Sequence, residues 1–138
     1  MSDGLIRSLY EGRLNTWSAA RSPVLPIAWE NVDYTPTTNS TYLRAFVLRG
    51  DTGSEDLAGS LRNRVGVMQV NIIMPTGSGA GASESIAAEL EALFPNNLRL
   101  TSGTFSVQVI TPARVRSGFV SDDNWIVPVD FEYRSDSV

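Results

Sequence analysis

Apolar residues Leu5, Ile6, Leu9, Tyr10, Leu14 and Trp17 recur at intervals of three and four, which predicts one helical stripe over residues 3–20. Gly12 inside that stripe costs about 1 kcal/mol relative to alanine. Pro23 and Pro26 remove backbone donors and push their predecessors toward extended geometry, so residues 22–29 read as a short extended piece at a sheet edge. Residues 30–40 are a polar loop, and the branched and aromatic run 41–49 is a strand. From Gly50 to Asn63 the chain turns polar and mixed in charge. Those fourteen residues read as a mobile hairpin connection, well beyond the usual two to five of a tight hairpin.

Residues 65–74 form the clearest buried strand, ended by Pro75, and a Gly-rich stretch over 76–82 leads into a second helix at 83–94. Its face of Ile86, Leu90, Leu93 and Phe94 is worth about 6–12 kcal/mol on burial before entropy is subtracted, so it must pack on a sheet. Pro95-Asn96-Asn97 stops it, and strands follow at 98–100, 105–110, 114–120 and 125–133. In the last, Trp125, Val127, Val129, Phe131 and Tyr133 alternate with Ile126, Pro128, Asp130, Glu132 and Arg134, a period-two strand with one wet face. Pro128 marks an edge or a bulge. The order predicts an α+β fold: a mostly antiparallel twisted sheet, two helices on one side, one strand–helix–strand crossover and a long β-hairpin loop. The 138 residues make a single domain, with the flexible loop at about 50–63.

Composition then removes chemistries. The chain has no cysteine, histidine or lysine, and its eleven cations are all arginine. There is no imidazole base, thiolate, Schiff-base amine or P-loop lysine, which argues against an enzyme and against a bound cofactor. A net charge of −4 and a pI near 4.7 argue against a nucleic-acid-binding domain. The longest apolar run, 65–74, is interrupted by Gln69 and Asn71 and falls far short of the ~20 residues of a membrane span. The N-terminus lacks a basic start and an apolar middle, so a cytosolic product is expected.

Three candidate chemistries remain. Gly77-Ser78-Gly79-Ala80-Gly81 lies between a strand and a helix, where phosphates meet helix N-termini, but the dinucleotide pattern fails at Ala82 and no acid stands ~20 residues on. The competing reading is a linker into a helix. Glu55 with Asp56, and Asp122 with Asp123, are paired carboxylates, yet adjacent loop acids tend to point apart, and Asp122-Asp123-Asn124 reads as a turn. Arg44, Arg49, Arg62 and Arg64 flank the long loop, which carries Asp51, Glu55 and Asp56. This mixed-sign set is a candidate interface, since arginine forms planar paired contacts with carboxylates. The alternative is a genome that favours arginine codons. Trp17, Trp29 and Trp125 read as core packing.

The chain resembles a known family in several places. The amphipathic start leads into Val24-Leu25-Pro26-Ile27-Ala28-Trp29-Glu30-Asn31 and then Tyr42-Leu43-Arg44. Met74-Pro75-Thr76-Gly77-Ser78-Gly79 precedes the helix Ser85-Ile86-Ala87-Ala88-Glu89-Leu90, and Trp125-Ile126-Val127-Pro128-Val129 opens the last strand. This is similar to the small phage and prophage proteins related to the tail terminator, or minor tail protein U. The resemblance implies an α+β fold and a six-membered ring that caps the tail tube, ends its polymerisation and offers the head-joining surface. It also implies a projecting hairpin, here Gly50 to Arg64, and no catalytic residues. The implied partners are further copies of the chain, monomeric or weakly associating alone, with the major tail tube protein and a head-completion or connector protein. The implied location is the virion tail or neck, after assembly in the host cytoplasm, with no membrane. The acidic balance adds a ring through which DNA passes without specific binding. A neck or head-completion protein, and a phosphate- or nucleotide-binding enzyme using Gly77 to Gly81 with Asp122 and Asp123, are the alternatives.

Overall fold

The longest period-two run in the chain is also its structural centre. The computed structural model describes residues 2–37, 39–53, 62–77 and 79–137. The final strand, β8 (Asn124–Ser137), pairs antiparallel along its whole length with β3 (Arg62–Pro75), which pairs antiparallel with β2 (Tyr42–Gly53). A two-residue β1 (Ile27–Ala28) runs parallel beside Leu43 and Arg44 at the outer edge of β2. On the other side of β8 three short strands follow one another along it: β5 (Phe105–Val109), β6 (Arg114–Val115) and β7 (Phe119–Ser121). β4 (Arg99–Ser102) pairs with β5 and is the outermost strand on that side.

Both helices, α1 (Ser2–Ala20) and α2 (Gly81–Leu93), cover one face of this sheet. Leu43, Ala45 and Val47 of β2, Met68, Val70 and Ile72 of β3 and Val127, Val129, Phe131 and Tyr133 of β8 form the core with Ile6, Tyr10 and Leu14 of α1 and Ile86, Ala87 and Leu90 of α2. Trp17, Trp29 and Trp125 pack half-buried against it. Arginines tie the helices together: Arg13 Nε donates to the Leu93 carbonyl at 2.7 Å, and Arg21 forms a forked pair with Glu89, 3.0 Å from Nε and 2.9 Å from Nη2. The Arg21 guanidinium holds the Glu89 carboxyl below its usual value, against a smaller opposing effect of burial. At one end of the sheet the loop after β1 folds over the other face, where Tyr34 packs on Tyr42 beside Ala28 and Ile73.

Tyr10 lies fully buried among Phe94, Phe131 and Tyr133, edge-on to the first two. Its hydroxyl has no hydrogen-bond partner among the described residues, and burial, with Tyr133 adding to it, raises its pKa. An unpaired buried hydroxyl carries a desolvation penalty, so Tyr10→Phe is expected to raise stability by about 1 kcal/mol in urea unfolding. A fall in the midpoint would show that the hydroxyl is bonded.

Three expectations are corrected. The connection predicted at 50–63 is shorter, because β2 continues to Gly53 and β3 begins at Arg62, with Thr52 opposite Arg64 and Gly53 opposite Asn63. A shift of register between Arg49 and Thr52 lets the polar arms stay paired. The loop that remains, residues 54–61, and with it much of the predicted mobile segment, lies outside the described residues. The strand expected at 114–120 is two strands. Pairing is in step from the Asp122-Asp123 turn back to Phe119 opposite Ile126, but Val115 stands opposite Val129, so residues 116–118 contain one extra residue, a bulge. Pro128, read as marking an edge or a bulge, stands beside that bulge in a central strand and not at an edge. Its carbonyl accepts the Arg116 N–H at 2.8 Å, so its nitrogen faces the bulge, where the regular ladder is already interrupted. Finally, α2 begins at Gly81, two residues earlier than predicted, with Ser83 Oγ donating to the Ala80 carbonyl.

Candidate functional site

The Gly-rich segment and the paired acids meet in space at the end of the sheet. Gly77 and Gly79 take φ of +88° and +80°, a left-handed backbone that suits glycine, and carry the chain from β3 into α2. Ser78 lies outside the described residues. Asp122 and Asp123 both have positive φ, 48° and 63°, as a two-residue type I′ hairpin turn requires, and the Asp123 carbonyl accepts the Thr76 N–H. A cavity of about 340 Å³ opens there, lined by Pro75, Thr76, Gly77, Gly79, Ala80, Val120 and Trp125. Its side chains are mostly apolar and include no cation, so no charged side chain there pairs with a phosphate. Among the described residues no cluster of three or more carboxylates is placed to hold a metal. The two aspartates serve the turn.

The candidate interface residues do not form one patch. Arg44 lies near the start of β2 on its helix-free face, opposite Asn71, with its guanidinium over the Tyr42 ring at 5.5 Å. Five residues along the strand, about 16 Å away, Arg49 is exposed opposite Gly66. Arg64 pairs with Thr52 and Ser135 on neighbouring strands, so it belongs to the distal end of the hairpin with Arg49. Asp51 and Arg62 fall in the arms of β2 and β3, while Glu55 and Asp56 lie outside the described residues.

The charge clusters that the fold does build come from residues far apart in sequence. On the helix-free face Asp130, 6% exposed, is gripped by two arginines. Arg114 reaches Oδ1 at 2.7 and 2.9 Å, and Arg116 reaches Oδ2 at 2.8 Å and Oδ1 at 3.1 Å. Arg114 also contacts Glu132 at 3.3 Å. Burial by itself would raise the Asp130 pKa, but the hydrogen bonds and charge of the two guanidiniums outweigh it and hold the carboxyl below its usual value. A second cluster stands at the outer sheet edge, where Glu30 Oε1 accepts the Val47 N–H at 2.6 Å and Arg7 Nη1 at 3.0 Å, and Arg7 also meets Glu11 at 3.0 Å. On the helix-free face the hairpin strands leave apolar side chains in the open, with Leu48 46% and Val65 38% exposed. In both clusters the charged groups are paired with one another and do not converge on a cleft.

A model of the family described as phage tail terminator protein matches residues 5–133, nearly the whole of the fold just described. The chain belongs to that family. A solved structure is similar to this chain at 43% identity, covering 100% of this chain and 98% of its own, with a TM-score of 0.85. No curated protein matches. As a member of the tail terminators, the protein is a structural component of the phage tail. In a tail terminator the clusters at Asp130 and Glu30 read as parts that shape and present surfaces. Sequence reasoning missed both. Counting back from the Asp122-Asp123 turn puts Val115 opposite Asp130, and only the bulge at 116–118 brings Arg114 there instead. The alternation Arg114-x-Arg116 against Asp130-x-Glu132 was the available signal.

Proposed function

We propose that this tail terminator assembles as a six-membered ring on the end of the completed tail tube, stops its polymerisation and offers the face that joins the head. Membership of the terminator family carries the reading, and the open strand edges and exposed apolar rows of the sheet support it. Its partners are further copies of itself, the major tail tube protein and a head-completion or connector protein. The mixed-sign arms of the hairpin, Arg49 and Asp51 on one strand and Arg62 and Arg64 on the other, supply contacts whose affinity grows by repetition around the ring axis.

Adding the purified protein to growing tail tubes is expected to halt elongation and to leave extra density at one tube end in electron micrographs. Tubes that grow to the same length with and without it would overturn the proposal. A net charge of −4 also lets duplex DNA pass the ring without sticking, so mobility-shift assays at low salt are expected to show no tight complex. Salt-sensitive tight binding would contradict that part of the reading.

A further inference from the structure

The outer edge of the sheet is only partly covered. β1 shields Leu43 and Arg44, with the Leu43 N–H donating to the Pro26 carbonyl at 2.9 Å, and from there to Gly53 no strand lies beside β2 among the described residues. Alternation along the strand turns the N–H groups of Ala45, Val47 and Arg49 to that outer side. Where β1 stops, a side chain takes over: Glu30 Oε1 accepts the Val47 N–H at 2.6 Å, in the place where a neighbouring strand would offer a carbonyl. Arg7 fixes that carboxylate at 3.0 Å and is itself fixed by Glu11. Arg49, next along the edge, is exposed.

Beside this edge an open groove of about 810 Å³ runs between α1 and the turn after β1, lined in part by Arg7, Glu11, Gly12, Trp29, Glu30 and Val32. Val32 is 59% exposed. A side chain at Gly12 would meet nothing in its own fold, so the glycine that weakens α1 has no internal use there. The opposite edge of the same sheet is β4, which among the described residues pairs only with β5. The Leu98 carbonyl faces β5, where it accepts the Val109 N–H, so the same alternation turns the backbone N–H and C=O groups of Arg99 and Thr101 outward. The Arg99 guanidinium lies over β5, donating to Ser106 Oγ at 3.1 Å and to Gln108 Oε1 at 2.9 Å, so what β4 offers at the edge is the backbone N–H and C=O groups of Arg99 and Thr101.

We propose that the outer edge of β2 is a strand-docking edge that receives β4 of a second copy, the Glu30 carboxylate giving up the Val47 N–H to a carbonyl of the incoming strand. Unpaired edges are templates for strand addition, and a side-chain plug keeps this one closed in the free subunit. Pairing β2 with β2 of another copy would close at two and leave both β4 edges open. Pairing β2 with β4 uses both edges of every subunit and repeats head to tail. The inference rests on the ring reading above and specifies which backbone surfaces join its subunits.

The chain contains no cysteine, so an Arg49→Cys/Thr101→Cys variant carries thiols only at the two edges. Assembled at high concentration or on tail tubes and treated with a short bis-maleimide, it is expected to give covalent species larger than a dimer, whereas Arg49→Cys alone stays monomeric on a denaturing gel. Glu30→Ala in the double variant is expected to lower the concentration needed for cross-linking about tenfold, as loss of one charge-assisted hydrogen bond would. Arg7→Ala, which loosens the same carboxylate without touching the strand, is expected to act in the same direction, and circular dichroism verifies folding of each variant. Rings visible on tubes without cross-linking of the double variant would overturn the edge assignment while the ring reading stands. Dimers from Arg49→Cys alone would overturn β4 as the occupant, and unchanged thresholds in both Glu30→Ala and Arg7→Ala would overturn the plug. Absence of rings on tubes and of oligomers at every concentration would instead remove the ring reading itself.

Discussion

Asp130→Asn is expected to destabilise the protein by about 2 kcal/mol, below the usual cost of breaking a buried ion pair because the arginine side chains are 37% and 52% exposed and can recover water. Asparagine keeps the shape of the side chain but replaces one acceptor oxygen with a donor. The Arg114 and Arg116 guanidiniums, which now converge on one carboxylate, would be left facing each other and an N–H group. The damage should be local to β6 and to the bulge, because these contacts add to a short backbone pairing in holding that interrupted segment against β8. Hydrogen exchange should therefore accelerate at residues 114–119 before it does in β3.

The same carboxyl gives the protein an acid-sensitive component of stability. Its pKa in the folded chain lies below the ordinary 3.8, so folding is favoured by the charged form. That contribution is fully present above the unfolded value and is lost as pH falls through the folded one. Thermal melts between pH 2 and 7 are expected to show the wild type losing stability below about pH 4, with a shallower decline in Asp130→Asn. The lowered Glu89 carboxyl is common to both proteins and cancels in the difference. Equal melting temperatures at neutral pH, or parallel acid profiles, would remove Asp130 from this role.

Gly66→Ala is expected to cost about 3 kcal/mol, the upper part of the range for overpacking a filled core. A Cβ at this position would stand 2.4 Å from the Tyr133 hydroxyl oxygen and 2.6 Å from the Leu48 carbonyl oxygen. The first contact is to a side chain that is 1% exposed and packed on Tyr10, and the second is to backbone held in the β2–β3 ladder. Neither gives way cheaply. Gly53→Ala, where nothing lies within 4 Å, serves as the control and should change stability little. Comparable unfolding midpoints for the two variants would refute the packing argument. The other end of β8 repeats the device: the Trp125 ring occupies the space a side chain at Gly118 would need, 2.1 Å from the nearest ring atom. Aromatic rings on the central strand are thus laid over a glycine of β3 and a glycine of the bulge beside it.

Regular periodicity made much of this architecture legible. The stripe from Leu5 to Trp17 and the face of Ile86, Leu90 and Phe94 became α1 and α2, and the alternation from Trp125 to Tyr133 became the core-facing row of β8. The turn at Asp122-Asp123 was legible because few residues besides glycine, asparagine and aspartate accept positive φ at two consecutive positions. The long hairpin was legible in place but not in extent. Polar and glycine residues from Gly50 to Gly53 read as loop, yet backbone pairing with residues 63–66 depends on the partner strand and not on side-chain hydrophobicity. Of the candidate interface, the residues near Arg49 and Arg64 stay together, while Arg44 separates from them because strand spacing, not closeness in sequence, sets the distance.

By itself, the sequence determined the α+β class, the helix faces, the turn and the lack of thiol, imidazole and amine chemistry, since each depends on residue type or on spacing within a few positions. The tertiary structure alone decided that β8 is central, that a bulge brings Arg114 and Arg116 onto Asp130, and that Glu30 covers Val47 at the sheet edge. Those outcomes depend on register between segments distant along the chain, and one looped-out residue changes which side chains face each other. Local pattern specifies which face of a strand is apolar, but only the assembled sheet fixes what stands opposite it.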